Sequence, residues 1–277
     1  MWIMTEKTRR TIGGTALAIG LAVLYLILIL SALHSVGTDD ALYYSLQTKA
    51  GILPQAGISD EDLRRLDAEL ASYLAGRPNE LTLPLESEPD GYSVLAMVVD
   101  GALRPAFGER EMTHLEDCRR LFALLRKVRA RLIPWAVLLI VGGAYLLRDR
   151  RRARGIALLS PLILLVPVGG FALWAAFDFD GAFTFFHRVL FDNDLWLLDP
   201  RTELLIRICP ESMFSAMGLR ILCISLGAML GVVALAVLAT FLWPKTKQNE
   251  GNKWNDNRAT RRGAAQRQKT FDFGGKR

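Results

Sequence analysis

Long uncharged apolar runs alternate with charged stretches along this chain. Residues 11–33, 132–147, 155–177 and 221–243 contain no Asp, Glu, Lys or Arg. Each run is 16 to 23 residues long. At ~1.5 Å rise per residue, a helix of that length crosses or nearly crosses ~30 Å of hydrocarbon. The pattern predicts transmembrane helices at 11–33, 132–147, 155–177 and 219–243. The first run exceeds the 7–15 apolar residues of a signal-peptide core, so it is taken as a span. Between spans one and two, residues 34–131 are long enough to fold. Ser59 followed by Asp60, Glu61 and Asp62 is a helix start, with acids at the positive end of the dipole. Leu63, Leu66, Leu70, Tyr73 and Leu74 then recur at helical spacing up to Gly76, a natural stop. Residues 80–85 (ELTLPL) alternate like a strand. Residues 93–99 (SVLAMVV) predict a second strand, ending at an Asp100-Gly101 turn. From Glu109 the pattern is helical again and runs into span two. The expected fold is a mainly α membrane protein, a four-helix transmembrane bundle carrying a small α+β cap.

Charge gives the expected orientation. Segment 1–10 holds three basic residues and one acid, segment 148–154 (RDRRRAR) five arginines and one Asp, and the tail 244–277 ten basic residues and three acids. Segment 34–125 has 16 acids against eight bases, and segment 178–218 seven against three. Basic loops stay cytoplasmic. Both termini and the 148–154 loop are therefore expected inside, and the cap and the 178–218 loop outside, in a plasma membrane. Arg126, Lys127, Arg129 and Arg131 run against this rule and are expected to reach to lipid headgroups. The net charge of +6 is thus a topology signal and does not call for nucleic acid. The basic, polar tail is expected to be disordered. Three cysteines exclude a disulfide-stapled secreted scaffold. Cys118 and Cys209 share the outer side, where they could pair or one could act as a nucleophile. Cys223 falls within span four.

The chemistry-bearing residues are few. There is no G-x-S-x-G elbow, no H-E-x-x-H, no P-loop and no G-x-G-x-x-G. No metal or cofactor is called for. Of the three histidines, His34 ends span one and is most simply a boundary residue. His114 lies in GEREMTHLEDC, with Glu111 one turn before it and Asp117 and Cys118 at i+3 and i+4, all on one helical face. Such a face is as readily a solvated charged surface as a site. His187 lies in FTFFHRVLFDNDLW, among Phe183, Phe185, Phe186 and Phe191, with Asn193, Asp194 and Trp196 close behind. A titratable group among aromatics near a bilayer is costly unless paired, and marks either an interfacial belt or a functional site.

The two histidine motifs together carry a resemblance. E-x-x-H-L-x-D runs from Glu111 to Asp117. F-H-x-x-x-F-x-N-D-x-W-x-L-D-P-x-T-x-x-L-I-x-x-x-P-E-x-x-F runs from Phe186 to Phe214. On a four-span frame with an outer cap, with Tyr43-Tyr44 and the GISDEDL helix start, they resemble the lipoprotein intramolecular transacylase family over roughly residues 10–240. The chain departs from the family pattern at Cys118, where an aliphatic residue is expected, and at PESMF, where a pair of aromatics is.

The resemblance implies a bacterial envelope acyltransferase. Its substrates would be diacylated lipoproteins, whose N-terminal cysteine carries a thioether-linked diacylglyceryl group. It would move the sn-2 acyl chain to the cysteine α-amine and leave a lyso-form lipoprotein, with membrane lipids around it and no cofactor. The resemblance makes His114 the expected general base and His187 its partner, an order that could be reversed. Glu111 and Asp117 would orient His114. Phe186, Phe191, Asn193, Trp196 and Asp199 would bind the substrate or shape the loop that does, with a turn role for Asp199-Pro200 at least equally open. The rivals are a non-enzymatic membrane protein whose cap binds an envelope partner, and a lipase or intermolecular acyltransferase. Neither the lipoproteins used nor the oligomeric state can be read from the chain.

Overall fold

The computed structural model describes residues 5–78, 81 and 95–242. Four helical stretches among them are long and apolar enough to span a membrane: Glu6–Val36, Glu109–Leu147, Arg150–Phe177 and Glu211–Leu242. Helix α1 (Glu6–Val36) is followed by α2 (Asp40–Ala50), a short α3 (Leu53–Ala56) and α4 (Asp60–Ala75). A hairpin of β1 (Ala96–Val99) and β2 (Ala102–Pro105) leads to α5 (Glu109–Leu147). Then come α6 (Arg150–Leu159), α7 (Leu162–Phe177), α8 (Phe179–Leu190), α9 (Leu204–Ile208) and α10 (Glu211–Leu242). The chain divides into a unit ending at Val237 and a second, Leu238–Arg277. Of the second unit only the last turns of α10 are described.

Helices α1 and α5 form the axis of the membrane part. Their backbones cross where neither has a side chain to hold them apart. A Cβ on Gly13 would lie 2.5 Å from the Leu147 nitrogen, and one on Gly143 would lie 2.5 Å from the Leu17 nitrogen. In lipid, where burial against hydrocarbon gives no drive, this close approach supplies the packing. Leu17, Leu21 and Tyr25 of α1 meet Leu147 of α5, Ala153 and Ala157 of α6 and Met229 of α10 in one buried cluster. At the polar end of this pair, Arg9 donates to the Leu146 carbonyl at 2.6 Å and Arg10 lies 4.0 Å from Asp149. The N-terminal turns and the arginine-rich 148–154 segment therefore share one end of the bundle. The arginine-rich segment is itself mostly helical, because Asp149 caps α6 by accepting from the Arg152 nitrogen at 3.1 Å.

The cap stands at the opposite end of α1 and α5. Helix α4 starts and stops where its sequence predicts: the Ser59 hydroxyl accepts from the Asp62 nitrogen, and Gly76 closes it at φ 72°. Its Leu63, Leu66, Leu70 and Leu74 are buried in the cap core with Ile52, Met97, Val99 and Phe107. Each leucine contributes roughly 1.5–3 kcal/mol by burial. The core also takes Leu204, Leu205 and Ile208 of α9. The 178–218 segment, expected as a loop, thus folds as α8, a turn-rich connection and α9, and α9 belongs to the cap. Arg207 seals it there with two hydrogen bonds to Asp100, at 3.0 and 3.1 Å. Beneath this layer the Gln47 amide donates at 3.0 Å both to Asp67 and to the Ile208 carbonyl, joining α2, α4 and α9.

The hairpin places Val98 opposite Leu103 across the Asp100-Gly101 turn. Its first strand falls within the expected 93–99; its second was not expected from the pattern. The strand expected at 80–85 lies outside the described residues, apart from Leu81. Cys118, Cys209 and Cys223 are free thiols.

Candidate active site

The site forms where the first turns of α5 meet the last turns of α8. The start of α5 is fixed by Glu111. Its carboxylate accepts from the Gly108 nitrogen at 2.6 Å and reaches across to the Leu205 nitrogen at 2.7 Å. One buried acid therefore caps α5 and locks it to α9. Burial holds its carboxyl above the usual range, and the two backbone donors oppose that rise. Glu111 makes no hydrogen bond to His114 among the described residues. Each of its two oxygens instead accepts from a backbone nitrogen.

One turn on, His114 is buried on the face of α5 that meets α8. His187 reaches it from α8, with ring centroids 6.1 Å apart. The 73 residues between the two in sequence thus collapse to a contact. Phe191 closes the pair, 5.1 Å from His114 and 5.7 Å from His187. The other walls around His187 are Phe183 at 3.9 Å, Trp196 at 4.9 Å and Phe186 at 5.5 Å. Phe183 and His187 are i and i+4 on α8, and Phe214 of α10 backs Phe183 at 5.8 Å. Phe183, named among the flanking aromatics but not among the expected substrate contacts, stands closer to His187 than Phe186, Phe191 or Trp196. Its spacing of four was the available signal.

The two imidazoles differ in hydrogen bonding. Nδ1 of His187 lies 2.8 Å from the Phe183 carbonyl oxygen. A carbonyl only accepts, so Nδ1 carries the proton, and neutral His187 has a bare Nε2. For His114 the pattern is reversed. Its Nε2 lies 3.6 Å from the Cys118 sulfur, and its Nδ1 is buried with no protein partner. Burial pushes the Cys118 thiol up to about 12, so it stays protonated and is no thiolate nucleophile. Burial, aided by His187, pushes His114 down to about 4, against the pull of Asp117. Burial also lowers His187, against its bond to Phe183. Both rings are neutral at pH 7.

The connection after α8 is organised by Asn193. Its amide donates to Asp117 at 2.9 Å, its side-chain oxygen accepts from the Leu195 nitrogen at 3.1 Å, and its carbonyl accepts from the Trp196 indole at 3.0 Å. Asp117 therefore holds the loop that carries Trp196 and makes no hydrogen bond to His114 among the described residues. Arg110 adds a bond to the Asp194 carbonyl at 2.5 Å. Asp199 accepts from the Arg201 backbone and guanidinium, which hold its carboxyl down to about 2. It is a turn residue, with its hydrogen bonds spent within the turn rather than at the histidines. Phe186 is 42% exposed and forms the rim. Among the described residues no three His, Cys, Asp or Glu side chains converge as metal ligands.

A family model described as lipoprotein intramolecular transacylase Lit matches residues 18–214. That stretch holds His114 and His187, the cap, most of the first span and the whole of the second and third. Among solved structures, the membrane-integral lipoprotein intramolecular transacylase Lit from Bacillus cereus is similar at 20% identity with a TM-score of 0.59, covering 86% of this chain and 100% of that one. A histidine-to-alanine variant of the same protein is similar at 20% identity and TM-score 0.53, covering 83% and 91%. No curated protein sequence matches the chain. Four apolar helices under a small two-stranded cap, two facing histidines in an aromatic cage, and a family match over most of the chain lead to one conclusion: this membrane protein belongs to the family of lipoprotein intramolecular transacylases.

Proposed function

We propose that the His114–His187 pair moves an acyl chain within a diacylglyceryl-cysteine lipoprotein, from the sn-2 glycerol oxygen to the N-terminal α-amine. The observation that carries this is the facing pair of rings: the Phe183 carbonyl leaves Nε2 of His187 bare, and Nδ1 of His114 is buried without a partner among the described residues. The neutral amine attacks the ester carbonyl, and a C–N bond forms. Nε2 of His187 takes the proton that this nitrogen then sheds. The Cys118 thiol donates to Nε2 of His114, which leaves its Nδ1–H to stabilise the oxyanion. His187 returns its proton to the glycerol oxygen as the C–O bond breaks. Protons balance, and no acyl-enzyme or external acceptor is needed. These roles reverse the expected order, with His187 as base and His114 as donor.

Donor and acceptor lie on one molecule, so the site has to fold the substrate rather than collect two reactants. Phe183, Phe186, Phe191 and Trp196 form walls that exclude water, which would otherwise hydrolyse the ester. Asp117 and Asn193 position the Trp196 wall. The substrate chains would lie among the spans, beside membrane lipid. In this arrangement the cap and both histidines face outward, and the N-terminus and the 148–154 segment lie in the cytoplasm. The shared basic end of α1, α5 and α6 supports that orientation, with the expected division into spans 11–33, 132–147, 155–177 and 219–243.

The test is expression in a bacterium lacking its own N-terminal lipoprotein acyltransferase, with mass spectrometry of a reporter lipoprotein. The expected product is N-acyl, S-monoacylglyceryl cysteine. Diacylglyceryl cysteine left unchanged by a membrane-inserted protein would overturn the proposal.

A further inference from the structure

Away from the histidine pair, α1 and α5 leave a second feature between them. A cavity of about 240 Å³ is walled only by apolar side chains, among them Leu24 and Ile27 of α1 and Ile133, Val137, Ile140 and Val141 of α5. It lies within the apolar spans, and Val137 and Val141 are more than half exposed on its open side. The same helix faces continue toward the cap as polar residues. On α5, Arg126, Arg129, Ile133, Val137 and Ile140 recur at steps of three and four, so both arginines stand on the face that lines the cavity. On α1, Ser31 and His34 continue the face of Leu24 and Ile27 in the same way. Arg129 stands ~6 Å along α5 from Ile133.

The charges that reach His34 are those of Arg129, Arg126 and Arg77, and Nε2 of His34 is buried without a partner among the described residues. Arg126 donates to the Leu74 carbonyl at 3.2 Å, where α4 ends. Among the described residues neither Arg126 nor Arg129 forms an ion pair with an acid. An apolar slot under arginines that pair with no acid among the described residues, at the membrane boundary, matches one chemical class. We propose that it binds an anionic phospholipid, with one acyl chain in the α1–α5 groove and the headgroup phosphate against Arg126 and Arg129. A diacylglyceryl cysteine has no phosphate for these guanidinium groups to pair, whereas an anionic phospholipid does. The site also accounts for basic residues on the cap side, where the usual charge bias opposes them.

The test uses the full chain, purified and equilibrated with mixed micelles of equal phosphatidylglycerol and phosphatidylcholine, with bound lipid counted by native mass spectrometry. The wild type is expected to retain phosphatidylglycerol at least about fivefold over phosphatidylcholine, as roughly 1 kcal/mol of discrimination would give. Arg129→Gln should bring the ratio near one, and Arg129→Lys should keep most of it. Val137→Trp, which fills the groove, should lower retention of both lipids. Equal retention by the wild type, or an unchanged ratio in Arg129→Gln, would overturn the proposal. So would full retention in Val137→Trp with displacement by inorganic phosphate, the mark of an anion site without a groove. Copies cross-linked through Val137→Cys, with no lipid retained, would assign the groove to a second chain instead.

Discussion

Nε2 of His187 and Nδ1 of His114 are the two atoms on which the chemistry rests. Removing the first removes the base, and His187→Ala should lower acyl transfer by roughly 10²–10⁴-fold. Removing the second removes an oxyanion donor, and His114→Ala should cost roughly 10²–10³-fold. Both variants should insert and fold as the wild type does, and reporter-lipoprotein mass spectrometry would measure both losses. Wild-type rates in either would strike that residue from the mechanism. The pH profile separates the rings from the substrate. Burial holds His114 down to about 4 and lowers His187 from its ordinary value. The rate should instead rise with deprotonation of the substrate amine, with an inflection near ~7.7–8. An inflection near 6.5 would mean that an imidazole is solvated in the working enzyme. At this scale the sequence was partly legible. His187 stands out as a polar group among aromatics, and His114 as a histidine with Glu111 and Asp117 at helical spacing. The partners of Glu111 and Asp117 do not, because Leu205 and Asn193 lie 94 and 76 residues away and no local spacing encodes such a contact.

At the scale of elements, two junctions set the site. The first is the α1–α5 crossing. Gly143→Leu would drive a side chain into the Leu17 backbone. It should lower the yield of folded protein in the membrane, measured by resistance to proteolysis, whereas Gly142→Leu, with nothing near its Cβ, should not. The second junction is the buried link of α2, α4 and α9 through Gln47 and Asp67. Burial pushes Asp67 up to about 7 from an ordinary 3.8. A carboxyl raised in the folded state binds its proton more tightly there than in the unfolded chain. Its contribution is therefore full below pH ~4 and is lost as pH rises through about 7. The cap should melt at lower temperature at pH 8 than at pH 5, by a difference of a few kcal/mol at ~1.4 kcal/mol per pH unit. Asp67→Asn should flatten that dependence. An unchanged slope in thermal melts of the variant would mean that Asp67 is ionised in the folded cap. Helices α4 and α5 and strand β1 were legible because each carries its own periodicity and stops. Helix α9 was not: five residues carry too little pattern, and it is held by Glu111 and the cap core.

For the whole molecule, four uncharged runs point to the membrane class, and the basic end shared by α1, α5 and α6 gathers charges as far apart in sequence as Arg9 and Arg152. What the linear pattern could not provide was the meeting of α5 and α8 at the base of the cap. That meeting makes two histidines a site, with α9 packed in the cap core and Asp117 and Arg110 of α5 holding the loop after α8. Cysteine labelling from outside intact cells should modify a residue placed at exposed Leu103 of the cap hairpin and spare one placed at Arg151. The opposite pattern would invert the orientation.

The most direct measurement is a crossover experiment on the purified protein. Two diacylglyceryl-cysteine lipopeptides are mixed, one heavy in both the sn-2 chain and the peptide, the other light in both. Transfer within one molecule by the His114–His187 pair gives only heavy-on-heavy and light-on-light N-acyl products, and none with His187→Ala. Mixed products would show a free or enzyme-bound acyl group and contradict intramolecular transfer.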